Sequence, residues 1–453
     1  MKKLLLNSLL LASLITNAQC WESISNGETH VMAIKPNGTL WGWGNGSFGL
    51  LGNGTTSSSS EPEQIGTASD WKSVHAGIQF SLGIKDSGTL WAWGGNLDGN
   101  LGTGSTTLST VPIQVGTTTW KTVGAGGRHS LGIRTNGTLW GWGWNEYATV
   151  GDGTTINRSV PVIINNSTNW KMVSCSSTKS MAVKEDGTLW GWGLNAPFLG
   201  ITSETGGQTL ILIPTQIGTD TDWKSVAVGS GHYLGLKNNN TLWAWGGGDK
   251  GQLGNGSTNA SFLPTQIGTD TDWAFIEVDA KSSFAIKTNG TLWAWGENLW
   301  GRLGNGSESD LLIPTQITTE TNWSVVSTSD AATVALKTDG SLSAWGYNSF
   351  LQYGNGTNIT QFTPQVITTC NLGTENFNKK RVHLYPNPVQ NRLFVASEET
   401  QQYKIYSILG VKISEGTFAV GSGIDCSGLT SGVYLISLTD GLGQSSTLKF
   451  VKQ

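Results

Sequence analysis

The chain is poor in the side chains on which several classes of function depend. Its 453 residues include four cysteines and five histidines, too few for a dense disulfide framework or a cysteine-rich metal cluster. From residue 19 to residue 370, 17 Lys and Arg against 25 Asp and Glu give a net charge of −8. This acidic balance argues against nucleic-acid binding, which needs a basic surface. No nucleophile elbow or His-Glu-x-x-His zinc motif is present, so we expect no catalytic constellation and no cofactor.

Long apolar runs are also scarce, and the one that occurs lies at the N-terminus. Two lysines precede an apolar run from Leu4 to Ile15, and Ala18 closes the segment. This order predicts a cleaved secretory signal over residues 1–18. The run is too short for a membrane span, and no other segment approaches one. We therefore expect an exported protein.

Tryptophan, by contrast, is abundant, and 20 of the 22 tryptophans belong to a repeat. The motif Thr-Leu-Trp-x-Trp-Gly recurs about every 50 residues, first at Thr39 and last, in the degenerate form Ser-Leu-Ser-Ala-Trp-Gly, at Ser341. A second landmark keeps the same spacing: Trp21, Trp71, Trp120, Trp170, Trp223, Trp273 and Trp323. Seven copies of one unit, called units 1 to 7 in chain order, therefore extend from about Trp21 to Ile367.

Each unit contains four short apolar runs separated by turn residues, which predicts four β-strands. Between the second and third runs lie pairs that accept positive φ, as a tight hairpin requires; examples are Asn37-Gly38 and, in the one unit without glycine, Asn239-Asn240. No unit shows a sustained apolar period of 3.6 residues, so no long helix is expected. We predict an all-β fold, a seven-bladed β-propeller of four-stranded sheets followed by a small β-sandwich. An open solenoid is the alternative, and seven near-equal copies favour the closed ring.

A glycine-rich stretch follows the tryptophan motif in several units. Trp245-Gly246 leads to the segment 251–256, Gly-Gln-Leu-Gly-Asn-Gly, and Trp295-Gly296 leads to 301–306, Gly-Arg-Leu-Gly-Asn-Gly. A later proline occurs in all seven units: Pro62, Pro112, Pro161, Pro214, Pro264, Pro314 and Pro364. These features resemble the repeat of the regulator of chromosome condensation family, which implies a seven-bladed β-propeller at residues 19–370. The resemblance implies no activity, because function depends on sites grafted on folds.

The composition changes at the C-terminal end. Residues 371–381 are polar and indicate a linker, and from Val382 onward tryptophan is absent. The predicted strands there are rich in Tyr, Ile and Val, with Leu-Tyr-Pro-Asn-Pro from residue 384 and Gly-Val-Tyr-Leu from residue 432. Residues 382–453 thereby resemble the type A C-terminal sorting domain of the type IX secretion pathway of Bacteroidetes. The resemblance implies a small β-sandwich that the export machinery reads; a β-sandwich binding module is the alternative.

Two cysteines lie at the ends of the repeat region. Cys20 precedes the first landmark tryptophan, and Cys370 follows the seventh unit. If the seventh unit meets the first around a closed ring, the two side chains fall close together at the seam. We therefore predict a Cys20–Cys370 disulfide; two unpaired thiols are the alternative. Cys175 and Cys426 are expected to be buried singly.

Several polar residues also recur at equivalent positions. His30, His129 and His232 share one position in units 1, 3 and 5; because alternate units stand apart, we interpret them as structural rather than as ligands of one metal ion. The Asp-Thr-Asp segments 220–222 and 270–272 are interpreted as turns. One basic residue precedes each hairpin turn: Lys35, Lys85, Arg134, Lys184, Lys237, Lys287 and Lys337. We interpret this basic ring as solvated strand ends, with an anion-binding ring as the alternative.

The loop after the Trp-Gly pair varies most between units. One loop position holds Phe48, Asp98, Tyr147, Pro197, Lys250, Trp300 and Phe350, so four of its seven residues are aromatic. Exposed aromatic rings on the loops of a rigid scaffold are typical of recognition sites. The candidate ligand-binding residues are therefore Phe48, Trp144, Tyr147, Trp300 and Phe350. Local packing of these rings is the alternative.

Together these features predict a secreted or cell-surface β-propeller that passes through the periplasm and binds an extracellular glycan or protein. The type IX machinery is its expected export partner, through residues 382–453, and we expect no nucleic-acid partner and no transmembrane segment. The alternative from another class is an extracellular glycan-active hydrolase or lyase with a site in the propeller channel. Two carboxylates facing one cleft about 5–10 Å apart would favour hydrolysis, whereas an aromatic rim without such a pair favours binding.

Overall fold

The computed structural model describes residues 21–195, 198–201, 209–329, 332–368, 383–396, 401–407, 412–419, 421–439 and 445–453. The chain separates into two compact parts, Met1–Leu372 and Gly373–Gln453. Among the described residues, the only helical segments are two single 3-10 turns, Ser47–Gly49 and Leu299–Gly301. The predicted all-β class is therefore confirmed. No helix in the described part of the chain has the length and hydropathy that a membrane crossing requires.

Each repeat unit supplies four antiparallel strands that pair in chain order. The strands are β1 (Ser23–Asn26), β2 (His30–Ile34), β3 (Leu40–Gly44), β4 (Ser59–Gln64), β5 (Trp71–Ala76), β6 (Phe80–Lys85), β7 (Thr89–Gly94), β8 (Ser109–Ala125), β9 (His129–Arg134), β10 (Leu139–Gly143), β11 (Arg158–Ile163), β12 (Trp170–Cys175), β13 (Lys179–Lys184), β14 (Leu189–Leu194), β15 (Leu210–Gln216), β16 (Trp223–Val228), β17 (His232–Lys237), β18 (Leu242–Gly246), β19 (Ser261–Gln266), β20 (Trp273–Val278), β21 (Ser282–Lys287), β22 (Leu292–Gly296), β23 (Leu311–Gln316), β24 (Trp323–Thr328), β25 (Ala332–Lys337), β26 (Leu342–Gly346) and β27 (Gln361–Thr368). Strand β8 is long because it is both the fourth strand of unit 2 and the first of unit 3. These two units therefore share one seven-stranded sheet, while the other five form separate four-stranded sheets.

The hairpin turns between the second and third strands have the predicted backbone. The glycines at these turns, Gly38, Gly88, Gly137, Gly187, Gly290 and Gly340, have φ between +73° and +80°. In the unit without glycine, Asn240 takes the same region with φ +60°. Space is also limited, since a β-carbon on Gly137 would lie 1.9 Å from the carbonyl oxygen of Thr168. Glycine is therefore required at this turn both by the backbone conformation and by the close approach of a neighbouring chain segment.

The antiparallel order gives every unit two distinct ends. The turn between strands 1 and 2 and the loop between strands 3 and 4 share one end, called the loop face. The hairpin turns between strands 2 and 3 lie at the other end, the hairpin face. Strand 1 of each unit is innermost, because the turns that follow these strands line one axial cavity. Strand 4 is outermost and exposes apolar side chains such as Ile213 and Ile313.

Neighbouring units are joined by one hydrogen bond that recurs around the ring. The second tryptophan of each motif is fully buried, and its indole N–H donates to a carbonyl oxygen in the loop of the preceding unit. The donor–acceptor pairs, at 2.8–3.1 Å, are Trp43–Gln352, Trp93–Leu50, Trp142–Asn100, Trp192–Thr149, Trp245–Leu199, Trp295–Gln252 and Trp345–Arg302. Because a buried indole N–H without an acceptor is costly, this bond constrains how neighbouring units can pack.

The ring closes where unit 7 meets unit 1. The indole of Trp43 donates to the Gln352 carbonyl across this seam. Trp21 and Trp43 of unit 1 pack in one apolar cluster with Val334 and Tyr353 of unit 7. Among the described residues, no strand of unit 1 pairs with the sheet of unit 7, and no strand of unit 7 pairs with the sheet of unit 1. Over these residues the seam therefore depends on packing and hydrogen bonds. The architecture is thus the closed ring rather than the open solenoid.

The predicted disulfide across this seam, Cys20–Cys370, falls outside the described residues. It stays a prediction that peptide mapping without reductant tests: a linked Cys20–Cys370 peptide is expected, and its absence would reject the disulfide. Chain-entropy models credit a bridge across so long a loop with up to about 5 kcal/mol. Within the described part of the chain, Cys175 and Cys426 form no disulfide; Cys426 is buried, as predicted, whereas Cys175 is only half-buried.

The C-terminal part forms two small sheets. Its strands are β28 (His383–Tyr385), β29 (Arg392–Ala396), β30 (Gln401–Ser407), β31 (Lys412–Phe418), β32 (Ile424–Asp425), β33 (Gly432–Thr439) and β34 (Ser445–Lys452). The order is β28-β29-β32 in one sheet and β31-β30-β33-β34 in the other. Both sheets contribute to one apolar core, which includes Leu393, Ile405, Ile436 and Phe450. Two sheets that share a core are typical of a β-sandwich.

Candidate functional site

Four of the five candidate aromatic residues are exposed on the loop face. The exposed fractions are 47% for Phe48, 37% for Tyr147, 44% for Trp300 and 43% for Phe350, and Trp144 is half-buried. All five lie between strands 3 and 4 of their units. The sheets therefore hold the backbone of these loops in place while the rings stay accessible to a ligand.

Three aromatic rings form a cluster where unit 6 meets unit 7. The Trp300 and Tyr347 ring centroids are 5.3 Å apart, and those of Tyr347 and Phe350 are 6.1 Å apart. Tyr347 was not among the predicted residues. It directly follows the Trp-Gly pair of unit 7, where the other units hold Asn45, Gly95, Trp144, Leu194, Gly247 and Glu297. The variability of this position was the signal that could have found it.

The cluster arises because each loop rests on the next unit. Trp300 contacts Tyr347 of unit 7, while the equivalent Lys250 pairs with Glu297 of unit 6 at 3.6 Å. Phe48 lies beside Gly95 of unit 2, where a β-carbon would stand 3.8 Å from the Phe48 Cβ. In each case the two residues are 47 apart in sequence. The same inter-unit contact is therefore aromatic, ionic or open according to which two residues meet.

Two of the exposed rings are attached to strained backbone. Phe48 has φ +58° and Trp300 has φ +64°, the left-handed region that residues with a β-carbon populate rarely. Such strain costs of order 1–3 kcal/mol and clusters at functional sites. In the loops of units 3 and 7 the residue after the aromatic position, Ala148 or Leu351, also has positive φ, so this backbone region is a recurring feature of the loop.

A second aromatic pair lies in unit 3. The rings of Trp144 and Tyr147 are 5.0 Å apart and nearly perpendicular. The Arg128 guanidinium lies 5.4 Å from the Trp144 ring centroid and pairs with Asp98 at 2.6 Å. Asp98 occupies the position that is aromatic in units 1, 3, 6 and 7. An ion pair thus replaces the aromatic ring where unit 2 meets unit 3.

The centre of the ring holds an axial cavity of about 140 Å³. All seven units contribute the turn that follows their first strand, with small or polar residues such as Ser177, Ser230 and Ser329. Glycines keep these turns close together: a β-carbon on Gly27 or Gly229 would lie 2.5 or 2.3 Å from a carbonyl oxygen of another unit. The cavity is therefore narrow, and polar and apolar groups line it in similar measure.

Carboxyl groups of unit 6 lie near this cavity. Asp279 lines it, and one carboxylate oxygen accepts hydrogen bonds from the backbone N–H groups of Lys281 and Ser282, while the other accepts one from the Thr328 hydroxyl. Burial, and then the neighbouring charge of Asp279, raise the pKa of the half-buried Glu277 to about 8. The hydrogen bonds of Asp279 thus stabilise the turn that begins at this residue. With its raised pKa, Glu277 is mainly neutral at pH 7.

The three equivalent histidines each join two units. The Nε2 atoms of His30, His129 and His232 lie 2.8–2.9 Å from a serine hydroxyl of the following unit. All three rings are fully buried, and burial lowers their pKa values to about 4, 3 and 3. In unit 4 the same position holds Lys179, whose Nζ donates to the Ser230 carbonyl at 2.7 Å. These side chains stabilise the contacts between units.

The interpretation of the basic ring as solvated strand ends is wrong. Every member lies against tryptophan rings of its own unit, with the cation 3.4–5.2 Å from the ring centroids. These distances are those of cation–π contacts. Lys237 also pairs with both aspartates of segment 220–222, and Lys287 with both of 270–272, at 2.6–3.1 Å. The two acidic segments are therefore ion-pair partners as well as turns, and their charge opposes an anion-binding role for these lysines.

Comparisons with known proteins agree with this architecture. The model of the regulator of chromosome condensation (RCC1) repeat matches residues 37–84, 87–133, 136–183, 239–284 and 289–336, and a second RCC1 repeat model matches 120–148 and 223–252. The secretion system C-terminal sorting domain matches residues 383–453. No curated protein matches the chain significantly.

Solved structures show the same fold at low sequence identity. Human WBSCR16 is 19% identical, with a TM-score of 0.64 over 73% of this chain and 94% of that chain. Yeast RCC1 (Prp20), in a structure with Kap60 bound, is 18% identical, with a TM-score of 0.66 over 78% of this chain and 86% of that chain. Similarity at this level shows the fold alone. With repeat matches over more than half its length, the chain belongs to the RCC1 repeat family, and it carries a secretion system C-terminal sorting domain.

Proposed function

We propose that this protein is an exported recognition module whose loop face binds an extracellular glycan through exposed aromatic rings. The observation that carries the proposal is that Trp300, Phe350 and Phe48 occupy equivalent positions of units 6, 7 and 1 and are all exposed. Aromatic faces pack well against sugar rings, and a scaffold of packed sheets holds them in place with little loss of entropy on binding. The sorting domain indicates secretion or the cell surface as the site of action.

The distribution of side chains on the loop face favours a glycan over a protein. In protein interfaces the energetically important aromatic residues cluster near the centre and are surrounded by a polar rim. The loop face has the reverse order, with aromatic rings in the outer loops and small, polar or aliphatic residues around the axial cavity. The net charge of −8 over residues 19–370 also disfavours acidic polymers, so a neutral glycan is the best match.

The enzyme alternative has less support. Hydrolysis would need two carboxyl groups available in one cleft. Among the described residues, Glu28 and Asp279 line the axial cavity, and Asp279 is engaged by three hydrogen-bond donors, which leaves it poorly suited to proton transfer. Incubation with polysaccharides and measurement of released reducing ends tests the alternative directly; sustained release that is lost on mutation of cavity carboxyl groups would replace binding by catalysis.

A glycan array probed with the purified full-length protein tests the proposal. We expect selective binding that is lost in the variant Phe48→Gly, Trp300→Gly, Phe350→Ala. The matched control is Leu97→Ala, which removes a 75% exposed side chain from a neighbouring loop and should bind as the wild type does. An array with no binding by the wild-type protein would contradict a glycan ligand and direct the search to proteins by pull-down.

The variant Phe48→Gly is expected to lose affinity without losing stability. Glycine adopts φ +58° without steric cost, so relief of backbone strain offsets the added flexibility of the unfolded chain. We expect the free energy of unfolding to change by less than about 1 kcal/mol, measured by urea denaturation. Destabilisation by more than about 2 kcal/mol would instead indicate that the ring packs as part of the fold.

Export is proposed to use both ends of the chain. Residues 1–18 would direct passage into the periplasm, and residues 382–453 would be read by the type IX machinery. Deletion of 382–453 should leave the propeller inside the cell envelope, which fractionation and immunoblotting would measure. Undiminished arrival of the truncated protein in the medium or on the cell surface would contradict this role.

A further inference from the structure

We propose that the glycan is a linear chain that follows the rim of the loop face, with Trp300, Phe350 and Phe48 as three successive subsites. This inference rests on the proposed function and specifies its ligand as an extended neutral polysaccharide. The three residues, called the aromatic track, belong to consecutive units because the ring closes between units 7 and 1. Ring closure thus joins residues that lie at opposite ends of the repeat region.

Equivalent positions in a ring of repeats are related by one rotation from unit to unit. The backbone positions that carry the aromatic track therefore recur once in each unit, and a polymer likewise presents its sugar units at a regular step. Their exposed fractions, 44%, 43% and 47% along the track, are nearly equal. A single compact ligand would reach at most Trp300 and Phe350, whose rings both lie against Tyr347, whereas a polymer can use all three rings at once.

The inter-unit hydrogen bonds hold the aromatic track in place. Two residues after each ring of the track is a carbonyl oxygen that accepts the indole N–H of the next unit. These carbonyls belong to Arg302 after Trp300, Gln352 after Phe350 and Leu50 after Phe48. At the seam, the side-chain oxygen of Gln352 also accepts the backbone N–H of Phe350 at 3.1 Å. The subsites therefore lie next to hydrogen bonds that fix each loop, which suits preorganised binding.

Both ends of the aromatic track are marked by ion pairs. On one side Lys250 lies 3.6 Å from Glu297 and 3.5 Å from Asp310. On the other side Asp98 pairs with Arg128 at 2.6 Å. These charged residues stand where an additional aromatic subsite would have to be. The track is therefore limited to three consecutive subsites, and affinity should stop rising once a chain spans them.

The experiment measures affinity as a function of chain length by titration calorimetry on the full-length protein. The probes are oligosaccharides of cellulose, laminarin, xylan and chitin, from dimer to octamer. For the series that binds, affinity should rise with length and then reach a plateau, because each further contact is made at high effective concentration. Affinity that does not depend on length would overturn the inference.

Three single variants give a pattern that only a linear track produces. For the shortest oligomers, each of Trp300→Gly, Phe350→Ala and Phe48→Gly should change affinity less than about twofold, since two other rings remain. For chains that span two rings, only Phe350→Ala should weaken binding, by about tenfold, because every neighbouring pair includes Phe350. For chains on the plateau, all three variants should weaken binding. Leu97→Ala should match the wild type at every length.

The outcomes separate this inference from the proposed function. Equal effects of the three variants at every length would overturn the linear track while leaving a glycan site on the loop face. Binding that none of the three variants changes would overturn both the track and the proposed aromatic site. Melting temperatures of the glycine variants at or near the wild-type value show that lost affinity is not lost folding.

Discussion

Acidification from pH 7 to pH 4 is expected to unfold the propeller. His30, His129 and His232 are fully buried, with pKa values lowered by burial from 6.5 to about 4, 3 and 3. Below pH 6.5 the unfolded chain binds protons at these rings and the folded protein does not. Above pH 6.5 these histidines therefore do not reduce the free energy of unfolding. As the pH falls from 6.5 toward 4, proton binding to the unfolded chain lowers that free energy. By pH 4.5 the three together withdraw about 8 kcal/mol, which is comparable to the whole stability of a typical domain.

The hydrogen bonds explain why the folded protein resists protonation. Each Nε2 atom faces a serine hydroxyl, as in the 2.8 Å contact of His30 with Ser81. The Nδ1 atoms of His30 and His129 have no partner among the described residues. Protonation would add an N–H group at Nδ1, in addition to the one at Nε2, and this group would have no acceptor. Protonation would also bury a charge.

Urea denaturation followed by tryptophan fluorescence at a series of pH values measures this effect. The matched control is the triple variant His30→Gln, His129→Gln, His232→Gln, because glutamine does not titrate and can still bond to the serine. His75, whose pKa burial also lowers to about 4, is present in both proteins. The difference between the two curves isolates the three histidines. Parallel curves from pH 7 to pH 4.5 would contradict the prediction.

Truncation of Trp43 to alanine is expected to open the ring at its seam. The side chain is fully buried, so the cavity should cost about 3–5 kcal/mol. The Gln352 carbonyl would also lose its indole donor, which adds about 1–3 kcal/mol. Trp142 makes the same bond to Asn100 between units 2 and 3. There, however, the continuous strand β8 connects the two units, so Trp142→Ala should destabilise the protein without separating them.

Hydrogen exchange distinguishes the two variants. In Trp43→Ala, exchange should rise across units 1 and 7 well before global unfolding, whereas Trp142→Ala should show no such local opening. Trp43→Phe keeps most of the volume and should cost less than Trp43→Ala. Trp140→Ser is a further control, since unit 7 naturally has Ser343 at the equivalent position. The same exchange pattern in Trp43→Ala and Trp142→Ala would show that the seam is no weaker than the other contacts.

Much of the candidate site could be predicted from local variation within the repeat. Phe48, Trp300 and Phe350 stood out because the rest of the unit is so regular. Tyr347 was missed because its importance depends on a contact with Trp300, 47 residues earlier. No local pattern encodes that pairing, which appears only when one unit is laid against the next. The left-handed backbone of Phe48 and Trp300 was likewise invisible, since neither residue prefers it.

The basic ring was misread for a related reason. A lysine at a strand end usually reaches solvent, and the sequence contains no sign that Lys237 would lie over Trp243, 4.3 Å from the ring centroid. Its acidic partners belong to the preceding inter-unit turn and are brought close only by the sheet. The polarity of the lysine therefore led to a prediction of exposure. In the structure, neighbouring strands cover the cation.

The sequence by itself determined the repeat, its four strands and its hairpin turns. These features depend on local requirements, such as positive φ at Gly137 and a buried indole at Trp142, that each unit satisfies within about 50 residues. Only the tertiary structure decided which loops become neighbours. Closure of the ring places Phe350 between Trp300 and Phe48, because side chains of units 1 and 7 bury each other's apolar surface at the seam. The proposed site is thus a product of closure, while the units that carry it are a product of local sequence.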